Sequence, residues 1–324
     1  MQIYKFNDIL KPVVWGGSKL AAFKQLAPGS REPIGESWEL SAVPGHESVV
    51  ATDGDDCGLT LTQLVRRHGA ALVGEEVYRA FGDRFPLLIK FIDARQDLSV
   101  QVHPDDAMAA RLHGSAGKTE MWYVVDSDDD AVIRTGFSRG ISPDEYERRV
   151  GEGTILDVVN ATPSKPGDAF FIPAGQIHSI GAGNLIAEVQ QSSDITYRIY
   201  DYGRLGADGK ARPLHTSQAR EALNFGAAAD GKVDFVPAAG PGVTPLVKCP
   251  KFDVGRLDYN SGYTLDLPRP HNFVVLMCIG GETSVTADEG IGSAALVRGV
   301  TVLVPAAATR LTLTGKAQLL VVTM

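Results

Sequence analysis

Cysteine is scarce in this chain: Cys57, Cys249 and Cys278 are the only three among 324 residues, and no two sit at CxxC spacing. An odd number of scattered thiols excludes a disulfide framework and a cysteine-built zinc site, so any metal here is held by nitrogen and oxygen. Long apolar runs are missing too, and no segment reaches the length of a membrane helix. The opening residues MQIYKFNDIL lack the basic-then-apolar layout of a signal peptide, which makes the cytoplasm the expected location. Positive charge is in short supply, 31 Lys and Arg against 39 Asp and Glu, for a net charge of -8. That balance argues against a nucleic-acid or membrane partner; an anionic substrate would need a local basic cluster.

Helical periodicity is confined to a few stretches. The clearest covers about 60–82, where Leu61, Leu64, Val65, Leu72, Val73, Val77 and Phe81 recur at three- and four-residue steps. Shorter helices are predicted near 105–112, 142–150 and 216–224. The remainder reads as short strands at about 36–42, 86–92, 98–103, 120–125, 168–173 and 185–191, then a second series from about 246. Gly, Pro, Asn and Asp clusters separate them, which predicts a mainly β protein of antiparallel sandwich or barrel type.

Against that background three metal-capable side chains stand out, His103 in SVQVHPDD, Glu120 in GKTEMWYVV and His178 in GDAFFIPAGQIHSI. A lone histidine is more often a packed residue than a ligand, but two imidazoles and a carboxylate together suit a first-row divalent ion with coordination positions left open. Strand alternation puts Ser99, Gln101 and His103 on one face and Val100 and Val102 on the other. By the same rule Lys118 and Glu120 share a face, opposite Met121, Tyr123 and Val125. A buried carboxylate beside a lysine needs a partner, which a metal would supply.

A short internal repeat is present. Gly167 to Ala174 (GDAFFIPA) matches Gly299 to Ala306 (GVTVLVPA) in its Gly, apolar run, Pro and Ala. Five residues past the proline stands His178 in the first copy and Arg310 in the second. Two copies of one β unit are therefore expected, the second structural and without a metal.

Several long runs resemble the type I mannose-6-phosphate isomerases in their short bacterial form: PLLIKFIDARQDLSVQVHPDD, GKTEMWYVV, GDAFFIPAGQIHSIGAGNLIAEVQQSSDITYRIYDYGR, and the early WGG and GESWELS. The resemblance implies two cupin-type β-sandwich or jelly-roll domains. The first, 1–240, would be the metal-binding catalytic domain, with helical insertions at about 55–85 and 105–112; the second, 241–324, would be a degenerate cupin. It implies one Zn²⁺ per chain on His103, Glu120 and His178, with Gln101 at a further ligand position, and a sugar phosphate as substrate. It also implies a catalytic Arg198, places Glu188, Lys118 and Ser99 along the active site, and points to Trp15 and Glu39. Aldose–ketose isomerisation needs a base near C1 and C2, for which Glu188 is the first choice, and a positive centre for the developing oxyanion. Lys90, Lys118, Arg198 and Arg204 are the local candidates for phosphate, although TYRIYDYGR departs from the longer members and leaves those contacts open. The same ligand set would serve an iron(II) or manganese oxygenase, which needs no phosphate cluster, and a non-catalytic sugar-phosphate sensor would share the fold. Either a monomer or a homodimer fits the sequence.

Overall fold

The computed structural model describes all residues except 27–32, 207–208, 241 and 268–270. Three antiparallel sheets form the framework of the described chain. A six-stranded sheet runs, edge to edge, through Ile9–Gly17, Ile34–Leu40, Leu87–Ala94, Asn184–Gln191, Glu120–Ser127 and Ala169–Ile172. A five-stranded sheet orders Tyr197–Tyr200, Val100–Val102, His178–Ile180, Val132–Phe137 and Val159–Pro163. The third has eight strands and gathers the second series, including the 14-residue strands Val274–Ala287 and Arg310–Thr323, together with Tyr4–Lys5 from the start of the chain.

The six-stranded sheet is the middle layer, and its sequence shows why. Along Leu87–Ala94, Leu87, Ile89 and Phe91 pack toward the eight-stranded sheet, against residues such as Phe252, Val275 and Leu320. The alternate residue Ile92 packs the other way, with Ile133 and Ile180 of the five-stranded sheet. Asn184–Gln191 repeats the pattern, Leu185, Ala187 and Val189 on one face and Ile186 on the other. A strand covered on both faces reads as a continuous apolar run, so a charged residue inside it, such as Lys90 or Glu188, marks a cavity.

The helical stretch at 60–82 is three helices, Leu61–His68, Ala70–Val73 and Glu75–Phe81. Gly69 and Gly74 break it by adopting φ values of 53° and 94°, a region costly for other L-residues. Thr60 opens the first with a reciprocal capping box to Gln63. The shorter helices form at Asp106–His113, Pro143–Glu152 and Thr216–Ala222. Short strands at Val132–Phe137 and Val159–Pro163 had no distinct sequence signal.

The repeat is visible in the backbone. Gly167 and Gly299 both take positive φ, at 97° and 85°, each ahead of a four-residue strand, Ala169–Ile172 or Thr301–Val304. His178 and Arg310 are each the first residue of the strand that follows. Arg310, however, is exposed and paired with Asp266 at 2.8 Å. The interior of the second unit is filled by apolar side chains, among them Leu257, Leu276, Val285, Leu296 and Leu311.

The two units are stitched by a buried ammonium. Lys24 Nζ donates to Glu39 Oε1 and Oε2 at 2.6 and 2.8 Å and to the Gly299 carbonyl at 2.7 Å, with Asp8 at 3.1 Å. Removing one partner strands a buried charge, a loss of about 3–5 kcal/mol. We predict that Lys24→Ala lowers the denaturation midpoint by a corresponding amount, and that adding Glu39→Gln to it restores part of the loss; a Lys24→Ala midpoint within error of the parent would show the link to be idle.

Candidate active site

His103 lies just beyond Val100–Val102, Glu120 opens Glu120–Ser127 and His178 opens His178–Ile180, so the two facing sheets bring them together. All three are buried, with relative exposures of 1, 0 and 1%. His103 Nε2 stands 3.1 Å from His178 Nε2 and 3.3 Å from Glu120 Oε1, and His178 Nε2 stands 3.5 Å from Glu120 Oε2. Donor atoms about 3.3 Å apart form the edges of a tetrahedron whose centre lies about 2.0–2.1 Å from each, the usual length of bonds from imidazole or carboxylate to a metal. This group could therefore hold a metal ion.

The hydrogen bonds around the trio agree. Each imidazole has its Nδ1 against a backbone carbonyl, His103 to Ile195 and His178 to Gln176, both at 2.8 Å. A carbonyl only accepts, so the proton sits on Nδ1 and each Nε2 turns a lone pair inward. Burial, then the Lys118 ammonium, pushes His103 down to about 3; burial lowers His178 as well. Burial alone would raise Glu120, but Lys118 and the two imidazoles hold it well below the usual carboxylate range. Its Oε2 is buried without a hydrogen-bond partner. Two inward lone pairs and an ionised carboxylate with an unpaired oxygen make a donor set that wants a cation. Lys118 Nζ hydrogen-bonds to His103 Nε2 at 2.9 Å and to Glu120 Oε1.

Beside this group lies a cavity of about 130 Å³. Its walls bring together the nominated residues Trp15, Lys90, Ser99, Gln101, Lys118, Glu188 and Arg198. Gln101 pairs in register with both His178 and Arg198, which keeps the metal group and the arginine adjacent. Lys90 is 6% exposed and lies 3.1 Å from Glu188 Oε2 and 3.7 Å from Glu36. Burial works against its charge, but the two carboxylates more than offset that and hold its pKa above the ordinary value. Burial raises Glu188 above the usual carboxylate range, with Lys90 pulling the other way. Arg198 is anchored by Nε to Ser99 Oγ at 3.3 Å and by Nη1 to the Pro213 carbonyl at 3.0 Å. Trp15 reaches the wall because Gly35 has no side chain; a Cβ there would meet the Trp15 ring at 2.6 Å. A larger hollow of about 560 Å³, between Ala70–Glu76 and Ala306–Ala307, gathers no comparable set of charged groups.

Two nominated residues point elsewhere. Glu39 serves the Lys24 link, and Arg204 is absent from the cavity wall, donating instead to the Asp97 carbonyl at 2.5 Å and to Asp201 at 2.6 Å. Three others join the site without having been singled out. Trp122 donates its Nε1–H to Glu188 Oε1 at 2.8 Å and sets its ring edge-on to His178, 5.5 Å between centroids. It shares a strand face with Glu120, so alternation could have found it. Glu36, inside GESWELS, faces Lys90. Arg212 comes from a loop, where no periodicity marks a direction.

The model of the phosphomannose isomerase type I catalytic domain matches residues 3–129, which include His103 and Glu120 but stop short of His178, Glu188 and Arg198. Mannose-6-phosphate isomerase ManA of Bacillus subtilis (strain 168) is 37% identical over 287 residues, 88% of this chain and 87% of that one. The mannose-6-phosphate isomerase of Streptococcus mutans is 35% identical over 90% of this chain and 89% of its own. The crystal structure of mannose 6-phosphate isomerase from Bacillus subtilis superposes with a TM-score of 0.88 at 31% identity, covering 100% of both chains. With likeness of this extent and a donor group fit for a metal, the chain belongs to the type I mannose-6-phosphate isomerases, a family of aldose–ketose isomerases.

Proposed function

We propose that the protein interconverts mannose 6-phosphate and fructose 6-phosphate by moving a proton between C2 and C1 through an enediolate, with one zinc ion held by His103, Glu120, His178 and Gln101. The observation that carries this reading is the trio of inward donor atoms 3.1–3.5 Å apart beside a cavity with its own buried carboxylate and arginine. Nitrogen and oxygen donors at this spacing suit zinc among the divalent ions. When bound, the ion supplies a positive centre that polarises the sugar carbonyl.

Glu188 is the proton carrier in this proposal. Trp122 holds Oε1, while Oε2 accepts no hydrogen bond and lies beside Lys90. Burial raises its pKa above the usual carboxylate range, in the direction that makes a better base, and Lys90 pulls the other way, favouring the ionised form. Arg198, permanently charged and fixed by Ser99 and Pro213, lends its positive charge to the anionic transition state. Ser99 and Trp15 shape the wall against which the sugar rests. The buried, apolar second unit is proposed to cover the middle sheet without carrying chemistry.

Five variants and a pH–rate profile test this. His103→Ala and His178→Ala should each lose the bound divalent ion, read by metal analysis, together with isomerase activity; full activity in a verified metal-free preparation would sink the proposal. Arg198→Ala should keep its metal and fold while kcat falls on the order of 10²-fold, about 2.7 kcal/mol of transition-state stabilisation; a rise in KM alone would reduce Arg198 to a binding group. Glu188→Gln should abolish solvent-deuterium exchange at C2. Because Glu188 must be ionised to accept a proton and its pKa is raised, activity should fall with decreasing pH at a midpoint above the ordinary carboxylate value of roughly 4.3. Lys90→Met removes a stabilising cation and should move that limb to higher pH, and an unmoved limb in a pH–rate profile would assign it to another group.

A further inference from the structure

The charge around the cavity is unevenly compensated. Lys118 is committed to Glu120 and His103, and Lys90 to Glu188 and Glu36. Arg198 has no carboxylate within ion-pair distance among the described residues, and its neighbour on the wall is Arg212. The backbone explains that pairing. After Tyr197–Tyr200, Leu205 bridges Ala211 and Gly206 N–H donates to the Lys210 carbonyl. Arg204 and Arg212 therefore flank one turn, and both reach Asp201. Arg212 grips it with Nε on Oδ2 at 2.8 Å and Nη2 on Oδ1 at 2.6 Å, while Arg204 adds Nη2 on Oδ1 at 2.6 Å. Arg212 keeps its Nη1 out of these bonds, its side chain is 28% exposed, and it lies on the cavity wall.

Resting on the sugar-phosphate reading above, we infer that Arg212 is the second guanidinium of this chain's phosphate fork, acting beside Arg198, and that Arg204 is a strut. Arg204 and Arg212 share the single carboxylate Asp201 and Arg198 has none, so these four groups together hold an excess of two positive charges beside the cavity. A phosphate monoester carries about -1.5 to -2 at neutral pH and matches that excess. Two arginines present paired N–H groups suited to its oxygens. Burial, followed by the nearby Arg212, lowers the pKa of Arg198, which agrees with two like charges held together until an anion arrives between them.

The test uses the metal-loaded full chain, with inorganic phosphate as competitive inhibitor and as calorimetric ligand. Arg212→Ala should raise the phosphate inhibition constant and the KM for mannose 6-phosphate together, by on the order of 10–100-fold, with kcat changed by less than about threefold. Arg212→Lys keeps the charge and the Asp201 pair but loses the fork, and should fall between Ala and the parent, which a folding defect would not produce. Arg204→Ala should leave phosphate affinity within about twofold. Unchanged phosphate affinity in Arg212→Ala, or a larger loss in Arg204→Ala, would overturn the inference. Should the parent bind phosphate through Arg212 yet fail to interconvert the two sugar phosphates, the proposed function alone would fall.

Discussion

Two imidazole nitrogens turn their lone pairs toward each other across 3.1 Å, with an ionised carboxylate alongside, in a part of the protein that water does not reach. Left uncompensated, such an arrangement would be costly, because buried acceptors and a buried negative charge lose their hydration and gain nothing. The protein nevertheless fixes it firmly, spending the Ile195 and Gln176 carbonyls to set both tautomers and laying Trp122 against the His178 ring. Much of the surrounding design follows from holding this group: His178 pairs with Gln101, Gln101 with Arg198, and the strand that begins at Glu120 is hydrogen-bonded along its length to the one that carries Glu188.

The middle sheet makes the second half possible. Because the eight-stranded sheet covers one of its faces with apolar contacts, the other can carry Lys90 and Glu188 deep inside a cavity without exposing the layer to solvent from behind. A carboxylate and an ammonium buried side by side lose much hydration, and each keeps its charge only through the other and through Glu36. In this architecture the eight-stranded sheet closes off the back of the middle sheet.

The strands bearing His103, Glu120 and Glu188 were legible because period-two alternation tells which side chains share a face, and the structure puts Val100 and Val102 in one cluster and Met121 and Tyr123 in another, as alternation demands. The repeat was legible because a glycine with positive φ ahead of a strand leaves a local mark. Break points in the 60–82 helix were harder: apolar spacing continued straight through Gly69 and Gly74, and only their φ values reveal the turns. Arg204 and Arg212 could not be told apart from sequence. Both follow Arg198 closely outside any strand or helix pattern, and which of them faces the cavity depends on the pairing of Leu205 with Ala211. Glu39 was misdirected for a related reason, since its partner Lys24 reaches it from a helix end outside any strand pattern.

The chain has three tryptophans, and each lines the cavity or touches a residue that does. Trp15 lines the cavity, Trp38 lies under the Lys90 ammonium at 5.0 Å, and Trp122 holds Glu188 while touching His178 edge-on. The tryptophan emission of the protein therefore comes from indoles on the cavity wall or one contact from it, where a change of charge on Lys90 or Glu188 alters the field they feel. No further tryptophan elsewhere in the chain adds a background to that signal.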